Sequence, residues 1–213
     1  MNTISKLTTA LLAGAVLGSP VAATAGDQAT AGAGLNVNAD TTLDATEISN
    51  LEFMREEEKL ARDVYRTLHG VWGLTVHDNI ADSEQVHTAE VEDMLAKYSL
   101  PDPVVDDTTG VFVNHELATL YTTLVAEGSQ TALQSLYVGA AIEEIDMIDL
   151  QHAIDESDNA DIRQLYTNLM KGSRNHLRAF VGQIEDEGIV YEAQYLPQAE
   201  VDAIVDSPME RGR

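Results

Sequence analysis

Not one of the 213 residues is a cysteine. That excludes disulfides, thiolate metal sites and cysteine nucleophiles, so any metal must be held by His, Asp and Glu. Basic residues are scarce: 12 Lys and Arg stand against 36 Asp and Glu, a formal charge of -24 at pH 7. Such a surface repels nucleic acid and anionic lipid, so neither is expected as a partner. It favours solubility, and it also concentrates cations. No apolar run reaches the length of a membrane span. Lys6, the apolar run over 7–16 and Ala23-Thr24-Ala25 instead read as a cleavable signal peptide over 1–25. Cleavage after Ala25 would send the chain to the periplasm or the exterior, with no membrane insertion afterwards. A nucleophile–base triad, a phosphate-cradling glycine loop and a basic patch are all missing, which leaves hydrolase, nucleotide-dependent and nucleic-acid functions without support.

Strand alternation is missing too, and helical periodicity takes its place. A linker over 26–45, rich in Gly, Ala and acidic residues, precedes the first helix. Within it Asn36, Asn38, Asp40, Asp44 and Glu47 fall at the oxygen positions of a calcium loop, but Thr41 replaces the turn glycine. An Asx-rich linker that caps the next helix is the reading preferred over calcium. The first helix is expected over 46–69, capped by Thr46 or Ser49 and ended by Gly70. The second runs over 75–98. A loop and a short helix over 114–127 follow, then a third long helix from a Ser129 cap to about 156, and a fourth over 159–187. Pro197 opens a last short helix in the tail, 191–213. Short links join the first and last pairs of long helices, and the middle link is long. This is an antiparallel four-helix bundle over 46–190 with one crossover carrying a short extra helix.

Glu84 and His87, in Ser83-Glu84-Gln85-Val86-His87, are three apart and leave one face of the second helix together. Helix midpoints in an antiparallel bundle share a level, here at about residues 58, 87, 143 and 174. Glu58, Glu84, His87, Glu144 and His176 lie at or beside those midpoints on predicted inward faces. Each also has a plainer place: Glu58 in a charged outer face, Glu84 with His87 as an exposed pair, His176 as a hydrogen-bonded core histidine. Of Glu143 and Glu144 only one can point fully inward. Ala141, Ile145 and Ile148 favour Glu144. His69, His77, His115 and His152 sit near helix ends, where capping or surface roles are expected. Tyr65, Tyr137 and Tyr166 are read as bundle-lining residues.

Glu58-Lys59-Leu60-Ala61-Arg62-Asp63-Val64-Tyr65 and the Glu84-x-x-His87 pair resemble the first two ligand helices of rubrerythrin-type proteins. With Val138-Gly139-Ala140-Ala141-Ile142-Glu143-Glu144 and Gly172-Ser173-Arg174-Asn175-His176, the chain is more similar to an uncharacterised branch of the ferritin-like superfamily, of the domain of unknown function 2202 type. The resemblance implies a ferritin-like all-α fold and a transition-metal site, iron first, with manganese or zinc as alternatives. Ser173 stands where the di-metal pattern has a second Glu, and Glu57, Glu143 or Asp146 are candidates to compensate; a mononuclear or asymmetric site is the other outcome. Implied activities are ferroxidase or peroxide-consuming oxidoreductase chemistry. Without cysteines the chain lacks an iron–sulfur module, so sustained turnover would draw on an external electron donor. The alternatives are a non-catalytic metal-binding or interaction bundle and a metal-free bundle. The oligomeric state is not encoded in any of these features.

Overall fold

A computed structural model describes residues 42–211, and the expected signal peptide, most of the linker and the first calcium-loop positions lie outside them. Six helices and no strands occur among the described residues: α1 Ala45–Trp72, α2 Thr75–Lys97, α3 His115–Gly128, α4 Ala132–Glu156, α5 Ala160–Asp186 and α6 Gln198–Val205. The fold is all-α. None of these helices is long and apolar enough to cross a membrane.

The ends of α1 are set by local chemistry and correct the expected bounds. Asp44 Oδ1 accepts from Thr46 N at 2.7 Å and Glu47 N at 2.9 Å, and Glu47 Oε2 returns to Asp44 N at 3.2 Å. This capping box satisfies donors a helix start would leave open. Asp44 therefore caps the helix, not Thr46 or Ser49. Glu47 also accepts from the backbone N–H groups of Asp158 and Asn159, so its carboxylate ties α1 to the α4–α5 turn. Gly70 lies within the helix. Gly73 ends it, because only there does the chain turn to φ 67°, the left-handed region open to glycine. Thr131, not Ser129, caps α4.

Two-residue and three-residue links make α1 pair with α2 and α4 with α5, and the pairs meet through α1 on α4 and α2 on α5. The segment from α2 to α3 is the long connection, and α3 packs on both α1 and α4. This connection buries the outer face of α1. Glu56 accepts from Val113 N at 2.6 Å and Asn114 N at 3.0 Å. Arg55 reaches Thr88, Glu92 and Asp102. Lys59 meets Asp63 at 2.5 Å and Thr108 O at 3.1 Å, with Phe112 against its ammonium. Arg62 joins Asp63 to Asp107. Every residue from Met54 to Tyr65 is consequently buried. A charged outer face for Glu56-Glu57-Glu58-Lys59 is thus overturned.

His77 corrects another expectation. It is fully buried at the start of α2, with Nε2 against Ser135 Oγ at 3.0 Å and its ring beside Tyr65 and Phe180. Burial, with His69 adding repulsion, pushes it down to about 4. In the unfolded chain an imidazole titrates near about 6.5. The unfolded state therefore binds more protons between these values, and stability falls as pH drops from 6.5 towards 4. The expected loss is roughly 3 kcal/mol. Urea denaturation of wild-type and His77→Gln protein across pH 4–7 measures it, and the variant should show the shallower slope.

Candidate metal centre

The middle of the two helix pairs holds six carboxylates and two imidazoles: Glu57 and Glu58 from α1, Glu84 and His87 from α2, Glu143, Asp146 and Asp149 from α4, and His176 from α5. All are buried except His87, whose side chain is 12% exposed. The basic side chains of α1 do not balance them, because Arg55, Lys59 and Arg62 are spent on the connection outside.

Glu84 is the pivot. Its Oε2 lies 2.7 Å from His87 Nδ1, and its Oε1 lies 2.8 Å from His176 Nδ1. Glu58 Oε2 closes on the same His87 nitrogen at 3.3 Å, and Glu143 Oε2 on the same His176 nitrogen at 3.4 Å. Two similar half-sites share one carboxylate: Glu58 and His87 on one side, Glu143 and His176 on the other. The two rings stack with centroids 5.3 Å apart. His176 turns its Nε2 to Ser83 Oγ at 2.9 Å, which fixes the ring and directs Nδ1 inward.

Electrostatics follow from this crowding. Burial acts to raise the Glu84 carboxyl, but His176 and His87 outweigh it and hold it well below the usual range. Burial acts to lower both imidazoles. Glu84 with Glu143 nonetheless brings His176 up to about 10, and Glu84 with Glu58 raises His87 strongly. Burial lifts Glu58 to about 7 against the pull of His87. Burial also raises Glu143, against His176, and Asp146 more strongly, with Glu58 and Glu143 repelling it. Without a cation the cluster holds protons that a cation would displace.

The donor set fits a divalent transition metal. Glu84, His87 and His176 offer ligand atoms all within 4.8 Å of one another. Glu84 Oε2, His87 Nδ1, His176 Nδ1, Glu58 Oε1 and Asp146 Oδ1 are buried yet make no aligned hydrogen bond. Those of Glu84, His87 and His176 lie around shared space, and burying polar atoms without partners costs free energy unless something binds them. Carboxylate and imidazole together suit iron, manganese or zinc.

Of the residues the sequence singled out, Glu58, Glu84, His87 and His176 come together. Glu144 does not. It points to the C-terminal segment, accepting from Tyr191 Oη at 2.6 Å, Tyr195 N at 2.6 Å and Leu196 N at 2.8 Å. Glu143 takes the inward position and is held by the Tyr65 hydroxyl. Asp146, three residues on, shares its face, and Ser173 donates to its Oδ2. The short serine on α5 leaves the space that Asp146 enters from α4. Glu143-x-x-Asp146 repeats the i, i+3 form of Glu84-x-x-His87, a signal the sequence did carry.

Gly172 makes room for the His87 ring: a Cβ there would stand 2.3 Å from Cε1 and 2.5 Å from Nε2. A Gly172→Ala change gains about 1 kcal/mol of helix propensity, which offsets much of the crowding. Thermal stability should change little. The cost appears instead as His87 leaving Glu84, and metal affinity should fall about 10-fold to 100-fold by titration calorimetry.

The chain matches the family model described as an uncharacterized protein domain (DUF2202) over residues 47–208. Uncharacterized protein MJ0754 of Methanocaldococcus jannaschii is 50% identical over 159 residues, spanning 75% of this chain and 86% of that protein. The crystal structure of hypothetical protein MJ0754 from Methanococcus jannaschii DSM 2661 aligns with a TM-score of 0.78 at 47% identity, covering 79% of this chain and 97% of that one. The match covers every helix but the first two residues of α1, and the chain belongs to the DUF2202 family.

Proposed function

We propose that this protein binds two transition-metal ions, iron by preference, in a ferritin-like bundle, and that it oxidises ferrous iron with dioxygen or peroxide. The observation that carries the reading is Glu84, whose two oxygens each face a different imidazole Nδ1 in a buried space. One half-site draws on Glu58 and His87, the other on Glu143 and His176, with Glu84 between them and Asp146 beside both. The two helix pairs and the single long connection support the ferritin-like arrangement. Iron held there supplies one-electron steps to an oxygen substrate. The carboxylates would neutralise the ions, the imidazoles would give up a proton to serve as neutral ligands through Nδ1, and Ser83 keeps His176 in the required orientation. Tyr65 holds the Glu143 carboxylate from behind. The acidic surface draws cations towards the protein.

A second reading is metal binding without turnover. It is favoured by the absence of cysteine, which leaves this chain without a thiolate electron-transfer module of its own. Untagged protein loaded anaerobically with ferrous iron and desalted separates the cases. Two irons per chain, followed by oxygen uptake above the protein-free rate, supports the first. Bound iron without uptake supports the second, and no bound iron defeats both.

A further inference from the structure

Between α1 and α4 lie Glu57 and Asp149, which neither half-site uses, next to Asp146, which flanks both. Glu57 is 4% exposed, and its Oε2 has no hydrogen-bond partner. Asp146 is 7% exposed, and its Oδ1 is unpartnered although Ser173 holds Oδ2. Asp149 stands one turn further along α4, close enough for its charge to raise the Glu57 carboxyl. Asp149 also lines a surface recess of about 10 Å³ with Asn50, Phe53, Met54, His152 and Ala153. That space suits about one water-sized particle. Asp149 and Asp146 both raise Glu57, and Asp146 is itself raised by Glu58, Glu143 and Glu84 of the centre, so the recess at Asp149 adjoins groups that interact with the centre.

The opposite side of the centre differs. A cleft of about 630 Å³ between α2 and α5 reaches His176, but Asp186 is the sole acid among its lining residues, and Arg178 is present. A hydrated cation gains little there. On the α1–α4 side, Glu57 Oε2 and Asp146 Oδ1 are buried without a hydrogen-bond partner, inward of the recess that Asp149 lines, so that side offers oxygen ligands to a cation where the other offers few.

We propose that Asp149, Glu57 and Asp146 form a transit site for a divalent cation, through which metal enters the centre between α1 and α4. The proposal rests on the metal-centre reading above. Its test is stopped-flow loading of the purified protein with Co²⁺, followed by the cobalt ligand-field absorbance, with metal analysis at the end point. Glu57→Gln and Asp149→Asn should load at least about tenfold more slowly, as expected when charges that guide an ion are removed. Their final stoichiometry and spectrum should equal those of wild type. Asp186→Asn, in the other cleft, should load at the wild-type rate. Both transit variants remove like-charge repulsion, so a urea midpoint no lower than wild type confirms that they fold. Unchanged loading in both variants overturns the transit site, as does slowing by Asp186→Asn alone. Reduced end-point stoichiometry also overturns it, since it makes these residues permanent ligands. A wild-type protein that develops no cobalt spectrum removes the centre itself, and the transit site with it.

Discussion

Glu84→Ala protein should retain almost no metal, while Glu58→Ala and Glu143→Ala each keep about one ion per chain. The asymmetry follows from geometry. Glu58 touches only the His87 side and Glu143 only the His176 side, whereas Glu84 contributes one oxygen to each. Removing a supporting group around a metal ligand typically costs about 10-fold to 100-fold in affinity, and removing a shared ligand should cost both ions at least that much. Metal analysis after equilibration and desalting reads the result directly. Equal losses in all three variants would mean that the carboxylates act as one undivided charge, not as two half-sites.

Asp63→Ala should be the most damaging change far from that centre. Asp63 is fully buried and accepts from Lys59 Nζ at 2.5 Å, Arg62 Nε at 3.0 Å and Gly110 N at 3.0 Å. Lys59 and Arg62 are themselves fully buried. Desolvating buried ions can cost more than their mutual attraction returns, so the presence of this network alone says little about stability. Removing the one anion both cations share is another matter. It strands buried positive charge and frees the connection at Gly110, at an expected cost of about 3–5 kcal/mol. A domain of this size is stable by only about 5–15 kcal/mol. Urea denaturation should show a large fall in midpoint. A change below about 1 kcal/mol, in the range of an exposed ion pair, would mean that the network does not hold the connection in place.

The helices were legible because their signals are local. Apolar spacing places α2, a capping Asn114 begins α3 and proline opens α6, while α4 starts after Thr131 and not after the Ser129 that its composition offered. The end of α1 was harder, since Gly70 and Gly73 both qualify by composition and only backbone geometry separates them. Glu58, Glu84, His87 and His176 could be aligned from sequence because helix midpoints share a level in antiparallel pairs. The choice between Glu143 and Glu144 failed for a physical reason. Periodicity assigns an inward face by contrast with an exposed one, and α4 has no exposed face here: every residue from Val138 to Met147 is buried. The C-terminal segment covers the outer side, and its backbone N–H groups take Glu144. The same holds for α1, where Glu56 serves the connection while Glu58 serves the centre. Neighbouring carboxylates divide between a clamp and a site, and hydropathy does not distinguish the two. Ser173 read as a missing ligand in sequence. Its role as the partner of Asp146 depends on two helices meeting, which spacing along one chain does not reveal.

The central claim is that Glu84 lies between two metal positions. Crystals of protein loaded anaerobically with ferrous iron, measured on both sides of the iron absorption edge, test it most directly. Two anomalous peaks are predicted, one beside Glu58 and His87, the other beside Glu143 and His176, each in contact with a different oxygen of Glu84. No peak among these residues, or a peak confined to the protein surface, would contradict it.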